Sequence, residues 1–130
     1  MLNLTIKNKV MKAYTDISQS KKLAEILPLE SADIGWNVFV DGTTRTLPIN
    51  DWDLVKDGSG NVKFYPAWSL AALLDVLPFP QLSKDKLGSG KEGWMVSIYP
   101  DNCRYDSCWH DNPIDACYKM IIKLHEQKLL

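Results

Sequence analysis

The apolar positions along this chain change period several times, and each change marks an element. Leu2, Leu4 and Ile6 alternate with Asn3, Thr5 and Lys7, which predicts a short strand or an ordered arm within residues 1–15. From 18 to 27 the period turns helical. Leu23, Ile26 and Leu27 share one face with Ala24 beside them, Ser18 stands where a cap belongs, and Pro28 stops the helix. Lys21, Lys22 and Glu25 fall on its solvated side. Residues 36–40 (Trp-Asn-Val-Phe-Val) are strand formers, and Asp41-Gly42 is a hairpin turn signal. The return strand, 45–49, contains Pro48, which places it at a sheet edge. Segments 52–55 and 61–65 flank a second turn at Asp57-Gly58-Ser59-Gly60.

The most apolar run, Tyr65 to Pro78, predicts a central buried helix over 68–77. Leu70, Leu73, Leu74 and Leu77 stand at i, i+3, i+4 and i+7, and Ala71, Ala72 and Val76 make the other faces nearly apolar. Pro66 ends whatever arrives from Tyr65, Ser69 is in position to cap, and Pro78 closes the helix. Pro80 keeps the chain extended. The run is far shorter than the ~20 residues a bilayer requires.

Residues 81–93 are polar and predict a mobile surface loop. Gly88-Ser89-Gly90-Lys91 is similar to the end of a phosphate-binding loop, but Glu92 follows where Ser or Thr is needed, and the next segment reads as a strand rather than a helix. Segments 94–99 and 103–109 predict a hairpin around Pro100-Asp101-Asn102. A two-residue turn at Asp101-Asn102 sets Trp94 opposite Trp109, Val96 opposite Ser107 and Ile98 opposite Tyr105. The last element is a helix over 113–127. Asn112 caps it, Pro113 takes its first position, and Asp115 lies in its first turn, where a negative charge suits the helix dipole. Ile114, Cys117, Tyr118, Ile121 and Leu124 form its apolar stripe.

Together these elements predict an α+β fold over 1–130, one compact domain in which about three helices pack a small, mostly antiparallel sheet of 36–40, 45–49, 61–65, 94–99 and 103–109. Composition agrees: 130 residues, 45% hydrophobic and 24% charged, suit one soluble core rather than a disordered chain. The net charge of −1, with Lys and Arg scattered among acids, gives no basic face for nucleic acid. Three cysteines and no apolar leader predict a reducing, cytoplasmic setting with no membrane segment.

Candidate chemistry is sparse, and no cofactor is expected. Cys103, Cys108, His110 and Cys117 offer four soft ligands for tetrahedral zinc, but C-x4-C-x-H-x6-C matches no established zinc module, and residues five apart on a strand point to opposite faces. Cys117 also sits in an apolar stripe, where a thiol behaves as a small hydrophobe. Cys108 and His110 share a strand face near Asp111, the order needed for a thiol nucleophile and its base. Asp51, Asp53 and Asp57 read better as edge and turn positions than as cation ligands. Of five tryptophans, Trp52 and Trp68 are the candidates for contact with a partner protein. Lys84, Lys86 and Lys91 are the candidates for weak nucleic-acid contact.

Three stretches carry a resemblance: QSKKLAEILPLESADIGW, PAWSLAALLDVLP and DNPIDACYKMIIKLHEQ, in that order. With Ser31-Ala32-Asp33, the Pro-Ala-Trp-Ser-Leu opening of the apolar run and Asn112-Pro113, the chain from about Gln19 onward resembles small proteins of phage-related and mobile elements of gut bacteria of the Bacteroides type. That group has no established activity, so the resemblance implies an origin and an intracellular setting and transfers no functional residue. The expectation is an accessory protein acting through contacts with an unidentified partner protein. A Cys/His-dependent enzyme or zinc domain is the alternative, and a weak nucleic-acid binder the third reading.

Overall fold

A computed structural model of the chain describes residues 12–48, 62–86, 89–99 and 106–130. The N-terminal alternation before Lys12, Ile49, Trp52 with its neighbouring aspartates, and Cys103 lie outside the described residues. The element order is α1 (Ile17–Ala24), a 3-10 turn (Leu29–Ser31), β1 (Ile34–Phe39), β2 (Thr44–Pro48), β3 (Val62–Ala67), α2 (Leu70–Val76), β4 (Gln81–Lys86), β5 (Glu92–Ile98), β6 (Asp106–His110) and α3 (Pro113–Glu126). The α+β class holds. The strands form two antiparallel three-stranded sheets, ordered β2-β1-β3 and β4-β5-β6, rather than one.

Each helix begins where a side chain can satisfy its first N–H groups. α1 starts at Asp16, not Ser18. Asp16 Oδ1 accepts from Gln19 N at 2.8 Å while Gln19 Oε1 accepts from Asp16 N at 3.1 Å, a reciprocal capping box. Ser69 caps α2 and Asn112 caps α3, both as expected, and Pro113 occupies the first turn of α3. The Ser69 hydroxyl also donates to Asp33, which ties α2 to the segment before β1.

The most apolar run does not make the most buried helix. α2 spans seven residues, and of these only Leu73 is fully buried, followed by Leu77 just beyond its end. The deeper element is α3, whose Ile114, Ala116, Cys117, Met120, Ile121 and Leu124 are all inaccessible to solvent. α3 packs on β5, β6 and α2, whereas α2 packs chiefly on α3 and the 3-10 turn. Leu23 and Leu27 of the α1 region and Trp68 join Val96, Ile98 and Cys108 in the same core.

Four local expectations are corrected. Residues 81–86 form strand β4 rather than a loop; their polar side chains suit an edge strand held by its pairing to β5. Pro66 lies within β3 instead of ending it, which an edge strand tolerates because one row of its N–H positions faces away from the ladder. The β5–β6 register is one residue from the predicted one: Val96 faces Cys108, Met95 faces Trp109 and Trp94 faces His110. A one-residue slip exchanges the two faces, and it turns Cys108 inward beside Val96 and Ile98. After α2 the chain does not stay extended at Phe79, which has φ of 45° between Pro78 and Pro80 and is exposed.

Candidate functional site

The corner where β6 passes into α3 sets three polar side chains close together. His110 is the last residue of β6, Asp111 stands in the corner, and Asp115 is in the first turn of α3, held there by the Asn112 cap. Asp111 Oδ1 lies 2.6 Å and Asp115 Oδ2 3.7 Å from His110 Nδ1. Neither contact has hydrogen-bond geometry, and Nδ1 itself is screened from solvent although the rest of the side chain is 42% exposed.

The start of α1 completes the cluster from the opposite end of the chain. Gln19, whose Oε1 closes the α1 capping box, donates its Nε2 to Asp115 Oδ1 at 2.7 Å. Lys12 Nζ lies 2.9 Å from the same oxygen and 3.1 Å from Asp16 Oδ2. Partial burial works against the Lys12 charge, but its hydrogen bonds to Asp115 and Asp16 outweigh that and hold the ammonium above its usual range. Burial, with the charge of Asp16 behind it, raises the Tyr118 hydroxyl.

Lys12, Gln19, His110, Asp115 and Tyr118 line one open cleft of about 970 Å³. Lys12 and Gln19 form one wall, Cys108, Trp109 and His110 come from β6, and Asp115, Tyr118, Lys119, Ile122, Lys123 and Glu126 come from one flank of α3.

The sequence-predicted sites are partly regrouped. Cys108 and His110 both border this cleft, as their shared strand face requires. Cys117 does not join them as a ligand: it is fully buried in the α3 stripe, and burial, with Cys108 nearby, pushes its thiol up to about 12. The four-residue Cys/His set therefore is not assembled among the described residues. The group whose ligand atoms do converge is His110, Asp111 and Asp115. Asp115 was legible only as a helix-dipole partner, because its contacts to Lys12 and Gln19 join residues about a hundred apart in sequence, and no local pattern encodes that.

Trp68 is likewise corrected as a contact residue. It is completely buried, its indole donates to Ser31 Oγ at 2.9 Å, and its backbone N–H donates to Thr15 Oγ1 at 3.1 Å. Lys84 lies 5.9 Å from the Trp94 ring and 3.9 Å from Glu92, while Lys91 lies 5.4 Å from the Trp109 ring. Trp94 and Trp109 are on opposite faces of their sheet, as the register dictates, so these two rings make no shared stacking platform. Lys91 is followed directly by β5, so no helix N-terminus completes a phosphate loop there.

Fold and site together define an α+β chain with a mixed polar and apolar cleft at a strand–helix corner. No family model, curated protein or solved structure matches it. No helix among the described residues is long and apolar enough to cross a membrane.

Proposed function

We propose that this chain is a binding module, an accessory protein that holds a segment of a partner protein in the cleft beside α3. The observation that carries the reading is the composition of that cleft: Cys108, Tyr118 and Ile122 supply apolar surface, and Lys12, Lys119 and Glu126 supply charged groups around it. Apolar surface interspersed with polar and charged groups is what protein-recognition patches present. The reading takes the reducing, cytoplasmic setting inferred from the cysteines. A place in a phage-like element rests on the sequence resemblance alone.

Selection of a random peptide library on the purified chain tests it. Peptides enriched by the wild type should be lost by Ile122→Glu and weakened by Lys119→Glu, with melting temperatures unchanged, because Ile122 is half-buried and Lys119 exposed. Retention by both variants, or loss on Phe79→Ser instead, would move the contact surface away from the cleft.

A second reading has its own observation. Cys108 and His110 border the same cleft, and Asp111 stands against the imidazole, the order of a thiol, its base and an orienting carboxylate. The burial of Cys108 argues against it, since a nucleophile must meet its substrate.

A further inference from the structure

We infer that His110, Asp111 and Asp115 form a binding site for a divalent transition-metal cation, with Zn²⁺ as its best-suited ion. This goes beyond the docking reading and does not depend on it. The donor atoms already converge, since one ligand atom from each residue lies within 4.8 Å of the others. His110 ends β6, Asp115 is in the first turn of α3 and Asp111 stands in the two-residue corner between them, so the backbone rather than a long loop sets their spacing.

The surroundings of Asp115 and His110 support ligation. Lys12 and Gln19 both occupy Asp115 Oδ1, and Oδ2 is the oxygen facing His110. Outer hydrogen bonds of this kind aim a ligating carboxylate. His110 Nδ1 is shielded from water and makes no hydrogen bond among the described residues; its near neighbours are the two carboxylates, so a cation between them would be held by all three groups. Ligands at about 2.0–2.2 Å from a tetrahedral zinc stand roughly 3.3–3.6 Å apart. The 3.7 Å between Asp115 and His110 is close to that. The 2.6 Å contact of Asp111 must open, and its side chain, 47% exposed, has room to turn.

One imidazole and two carboxylates are a borderline-to-hard donor set. It suits Zn²⁺ or Mn²⁺ and disfavours soft cuprous ion. Three protein ligands leave a fourth position for water or a ligand group, and the cleft lies beside it. Lys12 is a competing positive charge 2.9 Å from Asp115, so the affinity should be moderate rather than that of a closed structural site.

The test is calorimetric titration of the chelator-treated full chain with Zn²⁺ under reducing conditions. The expected result is one site, weakened tenfold or more by His110→Gln and by Asp115→Asn and unchanged by Cys103→Ser. Melting temperatures without metal identify any variant that fails to fold, and Asp111→Asn, at an exposed corner residue, provides an independent arm. Absence of a one-to-one site overturns the inference. So does a site that survives His110→Gln and disappears with Cys103→Ser, which would return the ligands to the thiols. Peptide selection performed with chelator present separates this outcome from the docking reading.

Discussion

Both sheets are antiparallel and three-stranded, but β4-β5-β6 is a sequential meander whereas β1 sits between β2 and β3, and their interiors are very different. In β4-β5-β6 the inward positions are apolar: Val96 and Ile98 are inaccessible, Cys108 nearly so, and α3 covers them. In β2-β1-β3 the fully buried positions are Gly35, Asn37 and Ala67, and α1 lies against β3. Asn37 is 2% exposed and its Oδ1 has no hydrogen-bond partner among the described residues. The face opposite Asn37 is anchored largely by polar and aromatic contacts: Trp36 donates to the Thr15 carbonyl at 2.8 Å, Tyr14 meets its ring edge-on, and Lys21 lies over Tyr65. One sheet is held by hydrophobic burial and the other by ties to neighbouring chain, although both present the same hydrogen-bonded ladder.

Both sheets nevertheless share one local device. A Cβ on Gly35 would lie 2.1 Å from the Phe64 ring, and one on Gly93 would lie 2.2 Å from the Trp109 ring. Each glycine is thus the floor under an aromatic ring of a neighbouring strand, which needs the space a side chain would fill.

The largest expected effect lies in the apolar half. Ile121→Ala removes a fully buried side chain of α3 and should cost about 2–5 kcal/mol in urea denaturation. Val38→Ala on half-buried β1 should cost well under half of that, and equal costs would erase the distinction between the sheets. Next comes Gly93→Ala, expected to cost roughly 1–3 kcal/mol by overpacking and to shift tryptophan fluorescence as Trp109 is displaced. An unchanged spectrum with unchanged stability would show that the ring moves without penalty.

The effect confined to the narrowest conditions is the alkaline limb of stability. Cys117 ionises near 9.0 when unfolded and near 12 in the fold, because burial disfavours the thiolate. The folded chain therefore holds that proton through the interval, and the unfolded chain releases it. The contribution is complete below pH 9 and is lost as pH rises from 9 towards 12. Cys117→Val should flatten this limb in pH-dependent melting, and an identical limb in both proteins would assign it to other groups.

How much of this was legible depends on where the determining contacts lie. The Asn112-Pro113 opening of α3 is a local signal, and it places the helix start correctly. α1 is capped two residues before Ser18 because Asp16 finds a reciprocal partner in Gln19, a pairing that Ser18 lacks in the sequence pattern. β4 was missed because a polar edge strand has no apolar period to detect. At the site, Cys108 and His110 share a border because strand alternation is local, while Cys117 departed into the core with its helix stripe.

By itself the sequence determined the α+β class, the caps of α2 and α3, the Asp41-Gly42 turn and the inward stripe of the last helix. All of these follow from propensities and periods read over a few residues. In the hairpin, Phe39 exchanges bonds with Thr43 and Gly42, and Gly42 takes the left-handed φ of 89° that glycine accommodates at little cost. Only the tertiary structure decided that the strands form two sheets, that β6 is shifted by one residue, and that α3 rather than the most apolar run is the deepest helix. It alone brought Lys12 and Gln19 to Asp115. The physical reason is common to all four: register, depth and long-range ion pairs depend on which surfaces meet, and surfaces meet through chain closure that no local window contains.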